Sequence, residues 1–254
     1  MDCIGSEFTY ETAFELLVRL EADELFLNTC LPNINKVLEL HPGKCYELDG
    51  DTGVGKTQVL NSELAIKTMG LQICYSIAAK FLQTKKTARI GWISAVPLRT
   101  DHLCKHFKTG ECSDRLLDRI VCKRVEYISE LRESLDHFSK TFNTHLVVVE
   151  KIDALLHDTA YENEIGRNVQ TDIIERLKKL TRLGVTVIIT NHITHWRGYP
   201  APALGMYWAS QIANRFYVEK LSGDVRTVSV MKEGEDGATR ANFSIDEKGL
   251  KAAN

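Results

Sequence analysis

The chain has no apolar run long enough to cross a bilayer, no leader-like N-terminus and no Cys-x-x-Cys pair. The first two absences lead us to expect a soluble, intracellular protein with no membrane partner. The third, with seven scattered cysteines, fits reduced thiols in a cytosolic or nuclear compartment. His102, Cys104, His106 and Cys112 lie close together, but at none of the spacings that zinc sites use. Neither charge is in excess: the net charge is −2, so any nucleic-acid contact has to come from a local basic patch. Internal repeats and low-complexity tracts are also missing. What remains, 44% hydrophobic residues over 254 positions, suits one large globular domain with a proper core.

One stretch carries a specific chemistry. "YELDGDTGVGKTQVL" places Gly50, Gly55, Lys56 and Thr57 in the spacing G-x-x-x-x-G-K-[ST]. Without a Cβ in the way, a glycine-rich backbone wraps a phosphate with successive N–H groups pointing inward, and a helix N-terminus adds its positive end. The phosphate cradle is then Gly50, Asp51, Thr52, Gly53, Val54, Gly55, Lys56 and Thr57, with Lys56 reaching the outer phosphates and the Thr57 hydroxyl ligating Mg²⁺. The strand-like "CYEL" before it and the helix-like "QVLNSELAIKTM" after it are the context this loop demands.

Beyond the loop, strands and helices alternate. "ARIGWIS" (88–94), "HLVVVE" (145–150) and "VTVIIT" (185–190) are β-branched runs without polar alternation, the pattern of strands covered on both faces of a parallel sheet. "NVQTDIIERLKKLTRL" gathers Val169, Ile173, Leu177 and Leu180 on one helical face and stops at Gly184; "DRIVCKRVEYISELRESLDHF" is amphipathic in the same way. After residue 215, "RFYVEK", "VRTVSVM" and "NFSID" alternate with glycine-rich turns and predict antiparallel hairpins that extend the sheet.

"HLVVVEK" ends in Glu150, placed either to hold Mg²⁺ at the end of a buried strand or to sit there as a plain solvent-facing acid. Where hydrolytic sites often carry a water-orienting acid immediately afterwards, this chain has Lys151.

The series "GDTGVGKTQ", "LVVVE", "EIGRNVQ", "GVTVIITNH" and "PALGMYWASQIANRFYVEK" resembles the ATPase core of the RecA/RadA-type recombinases, from about Leu40 to the C-terminus. Within that family the chain looks like a divergent eukaryotic recombinase paralogue, with "ETAFELLVRLE" similar to the lead of a short one. The resemblance implies an α/β fold: a RecA-like P-loop core at 41–254, its mostly parallel sheet flanked by helices and extended by C-terminal antiparallel hairpins. A short helical lead over 1–40 precedes it. The family's N-terminal DNA-binding domain is not matched, and no Phe-x-x-Ala polymerisation motif is found, since Glu11 stands three residues after Phe8.

The resemblance also assigns roles. The family's water-positioning glutamate corresponds to Val96, which cannot polarise water, and its nucleotide-sensing glutamine to His192. Two DNA-facing loops match "YENEIGRNVQ", with Arg167 at the basic position, and "HITHWRGYPAPALG", where His195, Trp196, Arg197 and Tyr199 combine cations with flat rings suited to single strands. Trp196 and Tyr199 could equally pack on the protein or anchor a partner. Phe14, Leu17 and Val18, widened by Leu16, Leu20 and Leu25, form a stripe on the lead helix that either packs on the core or docks a neighbouring subunit.

The implied protein is nuclear. It binds ATP and Mg²⁺ with slow or absent hydrolysis, pairs with another recombinase paralogue, and assists or remodels recombinase filaments on single-stranded DNA in homologous-recombination repair. The alternatives are an active DNA-dependent ATPase that exchanges strands itself, and an unrelated P-loop NTPase. Against the latter, His192 replaces the lysine of a guanine-binding N-K-x-D signature, and no arginine-rich kinase lid is present.

Overall fold

The computed structural model describes residues 12–13, 27–51, 69–107, 114–141, 143–159, 163–196, 199–222, 224–230, 239–246 and 249–253. Among them a short helix, α1 (Pro32–Leu38), opens on a proline at its first turn and buries Ile34, Val37 and Leu38. Strand β1 (Cys45–Asp51) leads into the phosphate-loop segment, and α2 (Met69–Thr84) follows. Then come β2 (Arg89–Ser94), the short helices α3 (Thr100–Cys104) and α4 (Asp114–Leu117), β3 (Ile120–Arg124), α5 (Ile128–Lys140) and β4 (Thr144–Glu150). Helix α6 (Ile152–Leu156) and a 3₁₀ turn (His157–Thr159) precede α7 (Glu164–Arg182). The C-terminal part runs β5 (Thr186–Trp196), β6 (Tyr199–Pro202), α8 (Gly205–Gln211), β7 (Asn214–Ser222), β8 (Val225–Val230), β9 (Arg240–Asp246) and β10 (Gly249–Ala252).

Among the described residues, ten strands join one sheet in the order β10-β9-β8-β7-β1-β5-β4-β2-β3, with β6 paired to β5. Six strands, from β7 to β3, are parallel, and β8, β9 and β10 continue from β7 as an antiparallel meander. This is the expected architecture. Alternate residues of the central strands enter two cores. Leu48, Trp92, Leu146, Val148 and Ile188 meet α2 on one face; Ile93, Val147, Val149, Val187 and Ile189 meet α5, α7 and α8 on the other. Covering both faces explains why these strands read as unbroken apolar runs.

Helix α7 matches its periodicity: Ile173, Leu177 and Leu180 are buried and Val169 is half-buried. Asn163 caps it by accepting from the Gly166 N–H at 2.7 Å, and Gly184 beyond it takes φ 80°.

Three segments depart from expectation. The stretch 118–138 is not one helix: Ile120–Arg124 forms the parallel edge strand β3 against β2, and the helix starts only at Ile128. The segment "EIGRNVQ", expected in a loop, makes the first turns of α7 and carries Arg167 on an exposed position there. Gln170 of the same segment turns inward, its amide donating to the carbonyls of Thr159 and Leu204 at 3.1 Å each. The third departure is in the second expected loop. β5 runs on from Thr190 to Trp196 and folds back as β6, so "HITHW" and "YPAP" form a hairpin.

Candidate functional site

The parallel strands bring their C-terminal ends to one edge, where α/β sheets collect ligands. Gly50 of β1 lies level with His192 of β5, and Ser94 of β2 with Glu150 of β4. Thr52, Gly53, Val54, Gly55, Lys56 and Thr57 lie outside the described residues. Gly50 and Asp51 close β1 in backbone register with His192 and Ile193, so the first two residues of the expected cradle lie at this edge.

Glu150 is no solvent-facing acid: it is 2% exposed. Its Oε2 accepts from the Ser94 hydroxyl at 3.0 Å and the Trp92 indole N–H at 3.3 Å. Burial pushes its carboxyl above the ordinary range, and the two hydrogen bonds oppose that by favouring the carboxylate. The α2 face holds this arrangement, because Tyr75 of α2 stacks on Trp92 with centroids 5.4 Å apart. Both bonds go to Oε2, so the residue fits a water-mediated Mg²⁺ ligand through Oε1. Val96 sits two residues past β2, 40% exposed, its N–H bonded to the Ser94 hydroxyl at 3.1 Å. An aliphatic side chain is all that this position offers.

His192 is paired. Its Nδ1 lies 2.5 Å from Oδ2 of Asp153, the second residue of α6. Asp153 was not singled out in the sequence; the available signal was an acid three residues after Glu150. Lys151, between them, is in the left-handed region at φ 54°, and its N–H donates to the Thr190 hydroxyl at 2.8 Å. That tight exit from β4 turns α6 against β5.

Beneath this edge, on the face opposite α2, lies a polar cluster that sequence reasoning also missed. Glu47 and Asp49, both fully buried, project from β1 on one face. Arg215 of β7 bonds Glu47 through Nε at 2.7 Å and Asp49 through Nη2. Trp208 of α8 and Asn191 of β5 donate to Glu47 Oε1 at 2.7 and 2.8 Å. One guanidinium cannot balance two ionised carboxylates, and burial together with Glu47 pushes the Asp49 carboxyl well above the usual range, toward its neutral form, against the pull of Arg215. The signal for this cluster was the alternation E-L-D inside a strand.

The expected DNA-facing residues divide. His195 and Trp196 end β5, and the backbone register sets them level with Pro200 and Tyr199 of β6. Arg197 lies outside the described residues, and Arg167 stands apart in α7. Phe14, Leu16, Leu17, Val18, Leu20 and Leu25 of the lead lie outside them too, as do Phe8 and Cys112. Of the histidine–cysteine cluster, His106 bonds Gln72 at 3.0 Å, and no group of His, Cys, Asp or Glu among the described residues is arranged to hold a metal. No described helix is long and apolar enough to cross a membrane.

Three comparisons place this geometry among known proteins. No family model matches the chain. It is 62% identical over 256 residues to RAD51-like protein 1 of Caenorhabditis briggsae and 59% identical over 257 residues to RAD51-like protein 1 of Caenorhabditis elegans, covering 99% of each chain in both cases. It is 25% identical over 224 residues to DNA repair protein RAD51 homolog 4 of Mus musculus, 82% of this chain and 65% of that protein. In fold it is similar to the RadB recombinase, with TM-score 0.68 and 16% identity over 90% of this chain and all of that one. With a phosphate-loop strand at the centre of a RecA-like sheet and full-length identity at this level, the chain belongs to the RAD51-like recombinase paralogues of the RecA/RadA family.

Proposed function

We propose that the protein is an accessory factor of homologous recombination in the nucleus. It binds ATP and Mg²⁺, pairs with a second recombinase paralogue and assists or remodels recombinase filaments on single-stranded DNA. Family membership supports the recombination-related role, and the family generally uses ATP with Mg²⁺. The observation that carries the accessory reading is Val96, an exposed aliphatic side chain at the strand end where the family keeps its water-positioning glutamate.

In this reading Gly50 to Thr57 wrap the phosphates, Lys56 neutralises the outer ones, and Thr57 with Glu150 holds Mg²⁺. The Mg²⁺ supplies charge neutralisation across the phosphates. Hydrolysis is slow or absent, and the nucleotide acts as a structural ligand that stabilises the assembled state by mass action. His195, Trp196, Arg197 and Tyr199 of the hairpin, with Arg167, contact single-stranded DNA through cations and stacking. The lead over 1–40 docks a neighbouring subunit through its earlier part, since Ile34, Val37, Leu38 and Leu40 are buried in this chain's own core.

The test is recombinase residence on single-stranded DNA, measured with this protein at a small fraction of the recombinase concentration. Altered filament lifetime at that dose is expected. An effect that appears only at stoichiometric dose, or not at all with its paralogue partner present, overturns the reading. Robust DNA-stimulated ATP turnover would instead favour a strand-exchange enzyme that draws its water-positioning group from elsewhere.

A further inference from the structure

The residue after "ITN" is where the family senses its nucleotide, and here the sensing side chain is an imidazole. A phosphate oxygen only accepts hydrogen bonds, so the group that reads it must donate. A glutamine amide always can. An imidazole whose Nδ1–H is committed to a carboxylate presents a bare lone pair at Nε2, unless the ring holds both protons. His192 is committed in that way, its Nδ1 2.5 Å from Asp153 Oδ2, and none of the described residues takes Nε2. The carboxylate that fixes the tautomer is also the charge that balances a doubly protonated ring.

The surroundings hold Asp153 in place. β4 ends at Glu150, Lys151 adopts a left-handed conformation rare for a residue with a side chain, and its N–H is tied to Thr190, two residues before His192 on the same strand. The turn therefore sets α6 against β5 at the position that brings Asp153 to His192. Asp153 is mostly buried, its side chain 16% exposed. Among the described residues its Oδ1 is buried without a partner and its one hydrogen-bond partner is the imidazole, and its charge also bears on the Asp49 carboxyl. A carboxylate held this way, beside a histidine level with Gly50, has a local purpose that packing does not supply.

We infer that Asp153 is a positioning residue for nucleotide recognition: Asp153 and His192 act as one imidazolium–carboxylate unit whose Nε2–H reads the terminal phosphate oxygen of a nucleoside triphosphate. This rests on the nucleotide-binding reading of the edge and deepens it. The unit does by charge what the family's glutamine does by an amide, and it makes the choice between triphosphate and diphosphate depend on a residue outside the phosphate loop.

The experiment measures ATP and ADP affinities of the full chain, in Mg²⁺, for wild type, Asp153→Asn, His192→Gln and the double variant. An asparagine keeps the size and an accepting oxygen but removes the charge. Asp153→Asn should lower the preference for ATP over ADP about ten- to a hundredfold, the range of one hydrogen bond to a charged group, with ADP affinity unchanged. In the His192→Gln background, where an amide needs no counter-charge, Asp153→Asn should change nothing. An unaltered preference in Asp153→Asn, or an equal loss in the His192→Gln background, overturns the unit while leaving the nucleotide site standing. Failure of the wild type to bind either nucleotide overturns the site itself. The ¹⁵N shifts of His192 in the nucleotide-free chain give a readout independent of binding: Nδ1 should carry a proton, and an Nε2–H tautomer with bare Nδ1 contradicts the pairing.

Discussion

Arg215 bonds two fully buried carboxylates at once, Glu47 and Asp49, and that fixes what its loss must do. Breaking a buried pair by removing one partner strands uncompensated charge and costs about 3–5 kcal/mol. Arg215→Met should cost that much in urea unfolding. In a Glu47→Gln, Asp49→Asn background, where no carboxylate is stranded, the same substitution should cost much less. Equal costs in both backgrounds would mean that Arg215 contributes packing alone. At this scale the sequence singled out residues where a motif names them, and the structure sets His192 level with Gly50 and buries Glu150 at its strand end, while Thr52 to Thr57 lie outside the described residues. The sequence was not legible where chemistry depends on a partner far along the chain. Nothing near Glu47 announces Arg215, 168 residues later, and nothing near His192 announces Asp153.

At the scale of elements, β2 crosses under α5 with little room to spare. A Cβ added at Gly91 would come within 2.7 Å of the Phe138 ring carbons, and that ring, 2% exposed, has nowhere to swing. Gly91→Ala should therefore destabilise the fold by about 1–3 kcal/mol through overpacking, and Phe138→Leu should recover part of the loss. A neutral Gly91→Ala would show that α5 slides freely on the sheet. Ties between α5 and α7 argue against sliding: Arg132 bonds Asp172 at 2.6 Å, and Arg176 bonds both Asp172 and Asp136. The strands covered on both faces, β2, β4 and the first half of β5, could be read directly, because their apolar runs admit little else. The edge strand β3 could not, because Cys122, Lys123 and Arg124 face solvent and the segment borrows the look of the helix that follows it. The hairpin of β5 and β6 was hidden for a related reason: its glycine- and proline-rich sequence reads as a loop, while its pairing is backbone to backbone.

For the molecule as a whole, a half-buried histidine and a buried aspartate set opposite pH slopes. His106 is kept neutral, its titration pushed down to about 4 by burial first and then by His102 and Lys105. Its contribution is complete above the unfolded histidine value of about 6.5 and is lost as pH falls from there to about 4. Asp49 is raised, to about 8, by burial and by Glu47. Its contribution is complete below the unfolded aspartate value of about 3.9 and is lost as pH rises to about 8. Where the windows overlap the slopes oppose each other; above about 6.5 Asp49 acts alone, and stability should fall toward 8. Denaturant midpoints across this range test it, with Asp49→Asn flattening the alkaline limb and His106→Gln the acid one. An alkaline limb that survives Asp49→Asn would assign it to another group. In the assembled protein, Lys56→Ala should weaken nucleotide binding and paralogue association together. Association that persists after nucleotide binding is lost would end the idea of nucleotide as interface ligand.

β5 is one uninterrupted strand from Thr186 to Trp196. It passes the phosphate-loop edge at His192 and ends in the hairpin that pairs Trp196 with Tyr199. An occupant of the edge and an occupant of the hairpin therefore bear on the same strand. Thermodynamic reciprocity then binds them: whatever factor a nucleotide applies to affinity at the hairpin, the hairpin's ligand applies to the nucleotide. In the proposed reading, where DNA occupies the hairpin, titrating DNA in the presence of nucleotide, or nucleotide in the presence of DNA, must return a single coupling constant.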